Sequence, residues 1–138
     1  MTETAFVPDI IPGLVYQDIR AAHDFLVDVM GFASGGLYEE GGRVVHGEVR
    51  VGERRIWLHR VTHEHGLDAP RALPLNHGGI VVFVPDVDAH YARVKAAGAE
   101  VTSEPVDQAY GQREYGVRDP EGHRWYVATP LPAAVVRS

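Results

Sequence analysis

The chain has 138 residues, with 13 Lys or Arg against 19 Asp or Glu for a formal net charge of −6, and no cysteine. That length suits one domain, or two small half-domains sharing a core. The acidic balance argues against a nucleic-acid partner, whose phosphates need clustered basic residues; the missing cysteines exclude disulfides, thiolate metal sites and cysteine nucleophiles.

The opening MTETAFVPDIIPG has an early acidic residue and no basic segment, so no secretion signal is expected. Residues 10–16, IIPGLVY, read as a strand. Asp18 is placed to cap a following helix carried by AAHDFLVDVM, in which Phe25, Leu26, Val29 and Met30 form an apolar stripe. Gly31 closes it. GFASGGLYEEGGR reads as a weak strand and a Gly-rich turn. VVHGEVRV alternates strictly, with Val45, Gly47, Val49 and Val51 on one face and His46, Glu48 and Arg50 on the other. RRIWLHR is a short strand behind a Val-Gly-Glu turn. Alternation puts Arg55, Trp57 and His59 on one side of it and Ile56 and Leu58 on the other.

The first module therefore covers residues 10–60. Residues 61–76 have no periodicity and read as a linker. Residues 77–130 repeat the order: a buried strand in GGIVVFVPDV, a helix in VDAHYARVKAAG, then strands in AEVTSEPV, YGQREYGVRD and HRWYVATP. Residues 131–138 form a tail. The longest apolar run, Ile80 to Val84, falls far short of the ~20 residues that cross a bilayer, so a soluble, cytoplasmic protein with no membrane partner is expected. Asp18 and Asp86, Val49 and Val117, and Trp57 and Trp125 are each 68 positions apart, which argues for a duplicated unit.

Asp119-Pro120-Glu121-Gly122 suits a type I turn, and its role is expected to be structural. Arg113 and Glu114 lie on opposite strand faces; alternation leaves open which one meets the interior of the cup.

Paired strand–helix–three-strand modules with YGQREYGVRDPEGHRW in the second are similar to the vicinal oxygen chelate superfamily. That group includes glyoxalase I, methylmalonyl-CoA epimerase, extradiol dioxygenases, fosfomycin resistance enzymes and bleomycin resistance proteins. The aromatic-Gly-x-Arg-Glu-aromatic run of Tyr110 to Tyr115, ahead of the Asp-Pro-Glu-Gly turn, resembles the bleomycin-resistance branch. The resemblance implies an α+β fold: two tandem βαβββ modules forming a curved, barrel-like mixed sheet with the helices outside and a shared hollow. It also implies a homodimer.

Metal-dependent members hold a cation with His, Gln or Glu side chains on the first and last strands of each module. The matching positions here are about Ile11, Trp57 or Leu58, about Gly79, and Tyr126. Only Tyr126 carries a donor, and a neutral phenol is a poor one. No metal and no other cofactor is expected at the usual site. A displaced site using His46, Glu48, His59 and His77 is the alternative.

Without a metal, the aromatic residues carry the reading. Trp57, Tyr110 and Tyr126 are expected to wall the hollow, with His46, Glu48, His59 and Arg113 as polar contacts. Such a wall stacks planar rings, and Glu48 would favour a cationic group beside them. The leading expectation is a small aromatic ligand, an antibiotic among the candidates, bound by sequestration. The rival is a lyase, isomerase or dioxygenase using the displaced metal site, or a metal-free enzyme with His46 or His59 as general base.

Overall fold

A computed structural model describes residues 9–73 and 78–132. The elements run β1 (Gly13–Tyr16), α1 (Ile19–Asp28), β2 (Ala33–Glu40), β3 (Arg43–Val51), β4 (Arg54–Arg60), β5 (Gly79–Phe83), α2 (Val87–Ala96), β6 (Glu100–Gln108), β7 (Gln112–Arg118) and β8 (Arg124–Pro130). They form two four-stranded mixed sheets, ordered β1-β4-β3-β2 and β5-β8-β7-β6. In each, the first strand runs parallel to the last and the rest are antiparallel. The expected two-module α+β fold is present, but among the described residues the sheets remain separate and do not close into a barrel.

Local signals explain the helices. Asp18 and Asp86 each accept a hydrogen bond from the backbone N–H three residues on, Ala21 and Ala89, and so cap α1 and α2. Ile19, Ala22 and Leu26 bury one side of α1, and Val87 and Val94 do the same for α2.

The duplicated unit holds, with one correction. Gly13 pairs with Trp57 in the first sheet, and Val81 pairs with Tyr126 in the second. Ile56 and Trp125 are both buried on the helix side. Trp57 therefore corresponds to Tyr126, and Trp125 to Ile56. The cause is turn length. Val51 pairs with Arg54 across two residues, whereas the Asp119 N–H bonds to the His123 carbonyl across three. The extra residue advances everything beyond the turn by one.

The helix-bearing sides of both sheets feed one core, in which Tyr16, Leu26, Met30 and Phe32 pack with Val94, Tyr115, Trp125 and Val127. Phe32, just after α1, lies 5.5 Å from Trp125, ring centroid to ring centroid. Each sheet thus has one covered face and one open face.

The Asp-Pro-Glu-Gly turn fastens the modules together. Gly122 N–H bonds back to the Asp119 carbonyl, with Gly122 at φ +94°, where an added Cβ would also meet Arg71 at 2.9 Å; glycine alone fits. Glu121 reaches across with both carboxylate oxygens, one to Gln17 N–H at 2.6 Å and one to Asp18 N–H at 2.8 Å, at the entry to α1. His123 Nε2 donates to the Val15 carbonyl at 2.8 Å. Between the modules, residues 61–73 carry two short 3₁₀ turns, and Thr62 and Ala69 are buried. Arg71 there donates to the Pro120 carbonyl at 2.7 Å and to Glu100 at 2.8 Å.

A second seam has a pH dependence built into it. His90 on α2 contacts the Met30 carbonyl through Nε2 and the Tyr115 hydroxyl through Nδ1, each at 2.7 Å. A carbonyl only accepts, so Nε2 carries the proton and Nδ1 accepts from Tyr115. Burial holds His90 below its ordinary range, and Arg93 adds to that against the opposing Met30 bond. The neutral ring is therefore favoured in the folded state. Its contribution is complete above the unfolded value of about 6.5 and is lost as pH falls through it toward the folded value. Urea midpoints at pH 7.5 and 5.0 should show a larger acid loss for the parent than for His90→Gln. Equal losses would remove His90 from the account.

Candidate functional site

The open face of the first sheet gathers four of the residues singled out from sequence. His46 stands opposite His59, and Glu48 opposite Trp57, on β3 and β4. Paired residues in an antiparallel ladder share a face. Trp57 is 39% exposed, whereas its neighbours Ile56 and Leu58 are buried on the other side. The His46 ring meets Trp57 edge-on at 5.3 Å, and the Arg55 guanidinium sits 6.0 Å from the indole centroid.

Glu48 fixes this arrangement. Its Oε1 accepts from Trp57 Nε1 at 2.9 Å, and its Oε2 accepts from Arg50 Nε at 2.7 Å. The Arg50 hydrogen bond, helped by the Trp57 one, holds the Glu48 carboxyl below its usual range. β2 makes room for it: a Cβ on Gly35 would come within 2.3 Å of Glu48 Oε2 and 2.8 Å of Glu48 Cβ. Gly35→Ala should therefore displace the carboxylate and release the indole. The expected result is a red-shifted tryptophan emission with retained fold; an unchanged spectrum would show that Glu48 does not position Trp57.

The second sheet carries its own cluster. Tyr110, 65% exposed, donates to Glu114 at 2.9 Å, and Gln112 Nε2 donates to the same carboxylate at 2.6 Å. The Glu114 bond, with some burial, pushes the Tyr110 hydroxyl up. Tyr126 pairs with Gly116 and shares the Glu114 face. Val81 and Phe83 on β5 add 49% and 53% exposed apolar side chains to that face.

Arg113 lies elsewhere. It alternates with Tyr115, which is buried against α2, and it bonds to Asp88 of α2 and to Asp107, each at 3.1 Å. Glu114, not Arg113, is on the side of the aromatic residues. The seven residues proposed from sequence thus fall into a Trp57 group, a Tyr110 and Tyr126 group, and an outlying Arg113. None of them lines the four described cavities. The largest of these, about 780 Å³, runs between the α1–β2 connection and the start of α2 and is lined by Phe32, Phe83, His90 and Arg93.

Of the cation positions of metal-dependent relatives, only Tyr126 carries a donor, and a neutral phenol is a poor one. Leu58 is buried in the core, and the Trp57 N–H already donates to Glu48. Ile11 is an alkyl chain and Gly79 has no side chain. For the displaced alternative, Glu48 is engaged by Arg50 and Trp57, and His77 lies outside the described residues. Among the described residues no group of three or more His, Asp or Glu is gathered in a metal-holding arrangement. The side chains of Ile11, Leu58 and Trp57, and the bare Gly79, do not suit a divalent ion.

Arg50 and Arg55 were missed as site residues. Both were legible, since they share the alternating face with Glu48 and Trp57. No described helix is long and apolar enough to cross a membrane.

Comparison with known proteins agrees with this architecture. The chain is 30% identical over 135 residues to the uncharacterized protein Mb0911c of Mycobacterium bovis, covering 90% of this chain and 84% of that protein. It is equally similar to the uncharacterized protein Rv0887c of Mycobacterium tuberculosis, over 75% of that protein's length. Among solved structures, TioX from Micromonospora sp. ML1 superposes with a TM-score of 0.72 at 30% identity, covering 91% of this chain and all of that one. TnmS3, an antibiotic binding protein from Streptomyces sp. CB03234, shares the fold with a TM-score of 0.68 at 23% identity, over 93% and 99% of the two chains. Residues 10–127 match the family model whose two-module architecture the sheets display, and the chain belongs to the glyoxalase/bleomycin resistance protein/dioxygenase superfamily.

Proposed function

We propose that this chain is a small-molecule binding protein that holds a planar aromatic compound, an antibiotic among the candidates, by stacking and polar contact without breaking a bond. The observation that carries this reading is Trp57. Its indole N–H is tied to a carboxylate that is itself tied to an arginine, while 39% of the residue stays exposed on an open sheet face. A large aromatic side chain held in one orientation at the surface loses little entropy when a flat ring packs on it. The donor chemistry at the family's cation positions points the same way. That TnmS3 is an antibiotic binding protein supports the fold's suitability for such a role.

The site is completed by a second copy of the chain. Trp57 and the Tyr110–Tyr126 group lie on different sheets, and each open face carries exposed apolar groups. A homodimer that apposes the first sheet of one copy to the second sheet of the other would enclose a ring between Trp57 and the tyrosines, and would cover Val81 and Phe83.

The test uses chelator-treated protein and a panel of planar antibiotics, with binding followed by calorimetry and the compound recovered afterwards. Saturable binding with the compound recovered intact supports the reading. Conversion of the compound that depends on an added divalent metal would replace it with the enzymatic alternative. Sedimentation should report twice the monomer mass.

A further inference from the structure

We propose that the group recognised beside Trp57 is an anion, so that the preferred ligand is a flat aromatic ring bearing a carboxylate or sulfonate. This rests on the binding reading above and names the ligand class for that site.

An acidic chain with Glu48 beside its exposed tryptophan suggests the opposite sign. The geometry removes that suggestion. Both Glu48 oxygens are already engaged by this chain's own donors, one by Trp57 Nε1 at 2.9 Å and the other by Arg50 Nε at 2.7 Å. Only 14% of its side chain is exposed. It orients the indole and forms an ion pair with Arg50.

What this face has to spare is hydrogen-bond donors on two guanidinium groups, each balanced by one carboxylate. Arg50 and Arg55 stand directly opposite one another on β3 and β4, on the Trp57 side, with side chains 50% and 40% exposed. Like charges facing each other across a ladder are unfavourable unless something lies between them. Each has one carboxylate partner among the described residues. Arg50 uses Nε on Glu48, and Arg55 uses one terminal nitrogen on Asp9 at 3.1 Å. A guanidinium has five N–H donors in a planar fork, so both have donors to spare. Arg55 also stands 6.0 Å from the indole centroid, so an anion accepting from it would be attached to a ring lying beside Trp57. His46 and His59, opposite each other on the same face, add imidazole rings and no carboxylate.

Four matched probes separate the possibilities by calorimetry at fixed ionic strength: 2-naphthoate, 2-naphthalenesulfonate, uncharged 2-methylnaphthalene and 2-naphthylmethylammonium. The two anions should bind about tenfold or more tighter than the ammonium compound, a ratio set by charge-assisted hydrogen bonds. Added salt should weaken the anions and not the uncharged ring. In Arg50→Gln and in Arg55→Gln the ratio of naphthoate to methylnaphthalene affinity should fall, with folding of each variant checked by circular dichroism. Ammonium or uncharged probes binding as tightly as the anions would overturn the charge assignment and leave the binding reading standing. Failure of all four probes to bind would overturn both.

Discussion

Replacing Asp119 by alanine is expected to lower unfolding stability by about 4 kcal/mol, the largest single effect in the molecule, because two buried donors lose their acceptor at once. Asp119 is 1% exposed. Its carboxylate accepts from Tyr16 Oη at 2.5 Å and Trp125 Nε1 at 3.0 Å, and from the backbone N–H groups of Glu121 and His123 at 3.1 and 3.0 Å. Tyr16 belongs to the first module and Trp125 to the second, and both are fully buried. Burial, followed by the Asp119 charge, pushes the Tyr16 hydroxyl well above its usual range, so it stays a donor. The carboxylate thus joins two strands, a turn and two modules. Tyr16→Phe removes one donor together with its need, and should cost only about 1 kcal/mol. Urea unfolding measures both. An Asp119→Ala midpoint close to that of Tyr16→Phe would show that the turn, rather than its carboxylate, joins the modules.

Trp57→Ala is the second large effect, and it falls on binding. Loss of the stacking surface should weaken a planar aromatic ligand by about tenfold to a hundredfold, in line with a stacking contribution of about 1–3 kcal/mol. Stability should change little, since the residue lies on an open face outside the core. Trp125→Ala should do the reverse, because that residue is fully buried, lies 5.5 Å from Phe32 and donates to Asp119. Calorimetric titration beside urea unfolding separates the two tryptophans. A Trp57→Ala protein that binds as tightly as the parent removes the aromatic wall.

The contrast between these tryptophans shows where sequence reasoning held and where it slipped. Strict alternation in VVHGEVRV and RRIWLHR placed Glu48 and Trp57 on one face and Val49 and Leu58 on the other, and the ladders agree. The matched spacing of Asp18 and Asp86 reflected two equivalent caps. The equal spacing of Trp57 and Trp125 did not reflect equivalence, because one added residue in the second hairpin turn shifts everything after it. The side taken by Arg113 was undecidable from alternation, which gives two faces without saying which meets the helix. Asp88 on α2 settles it. The partners of Glu48 were legible and unused: Arg50 lies two residues on along the same strand, and the two-residue Gly52-Glu53 turn sets Trp57 directly opposite. The Glu121 reach to α1 joins residues over a hundred positions apart and has no local signal.

The two tryptophans also provide the sharpest test, since they are the only indoles in the chain. In a ¹⁵N–¹H spectrum each Nε1–H gives its own resonance, assignable by Trp57→Phe. On titration with 2-naphthoate, in protein freed of metal by chelation, the Trp57 resonance should move progressively to saturation while that of Trp125, bonded to Asp119 inside the core, stays in place. A Trp57 resonance unmoved by any planar ring that calorimetry shows to bind would contradict the account.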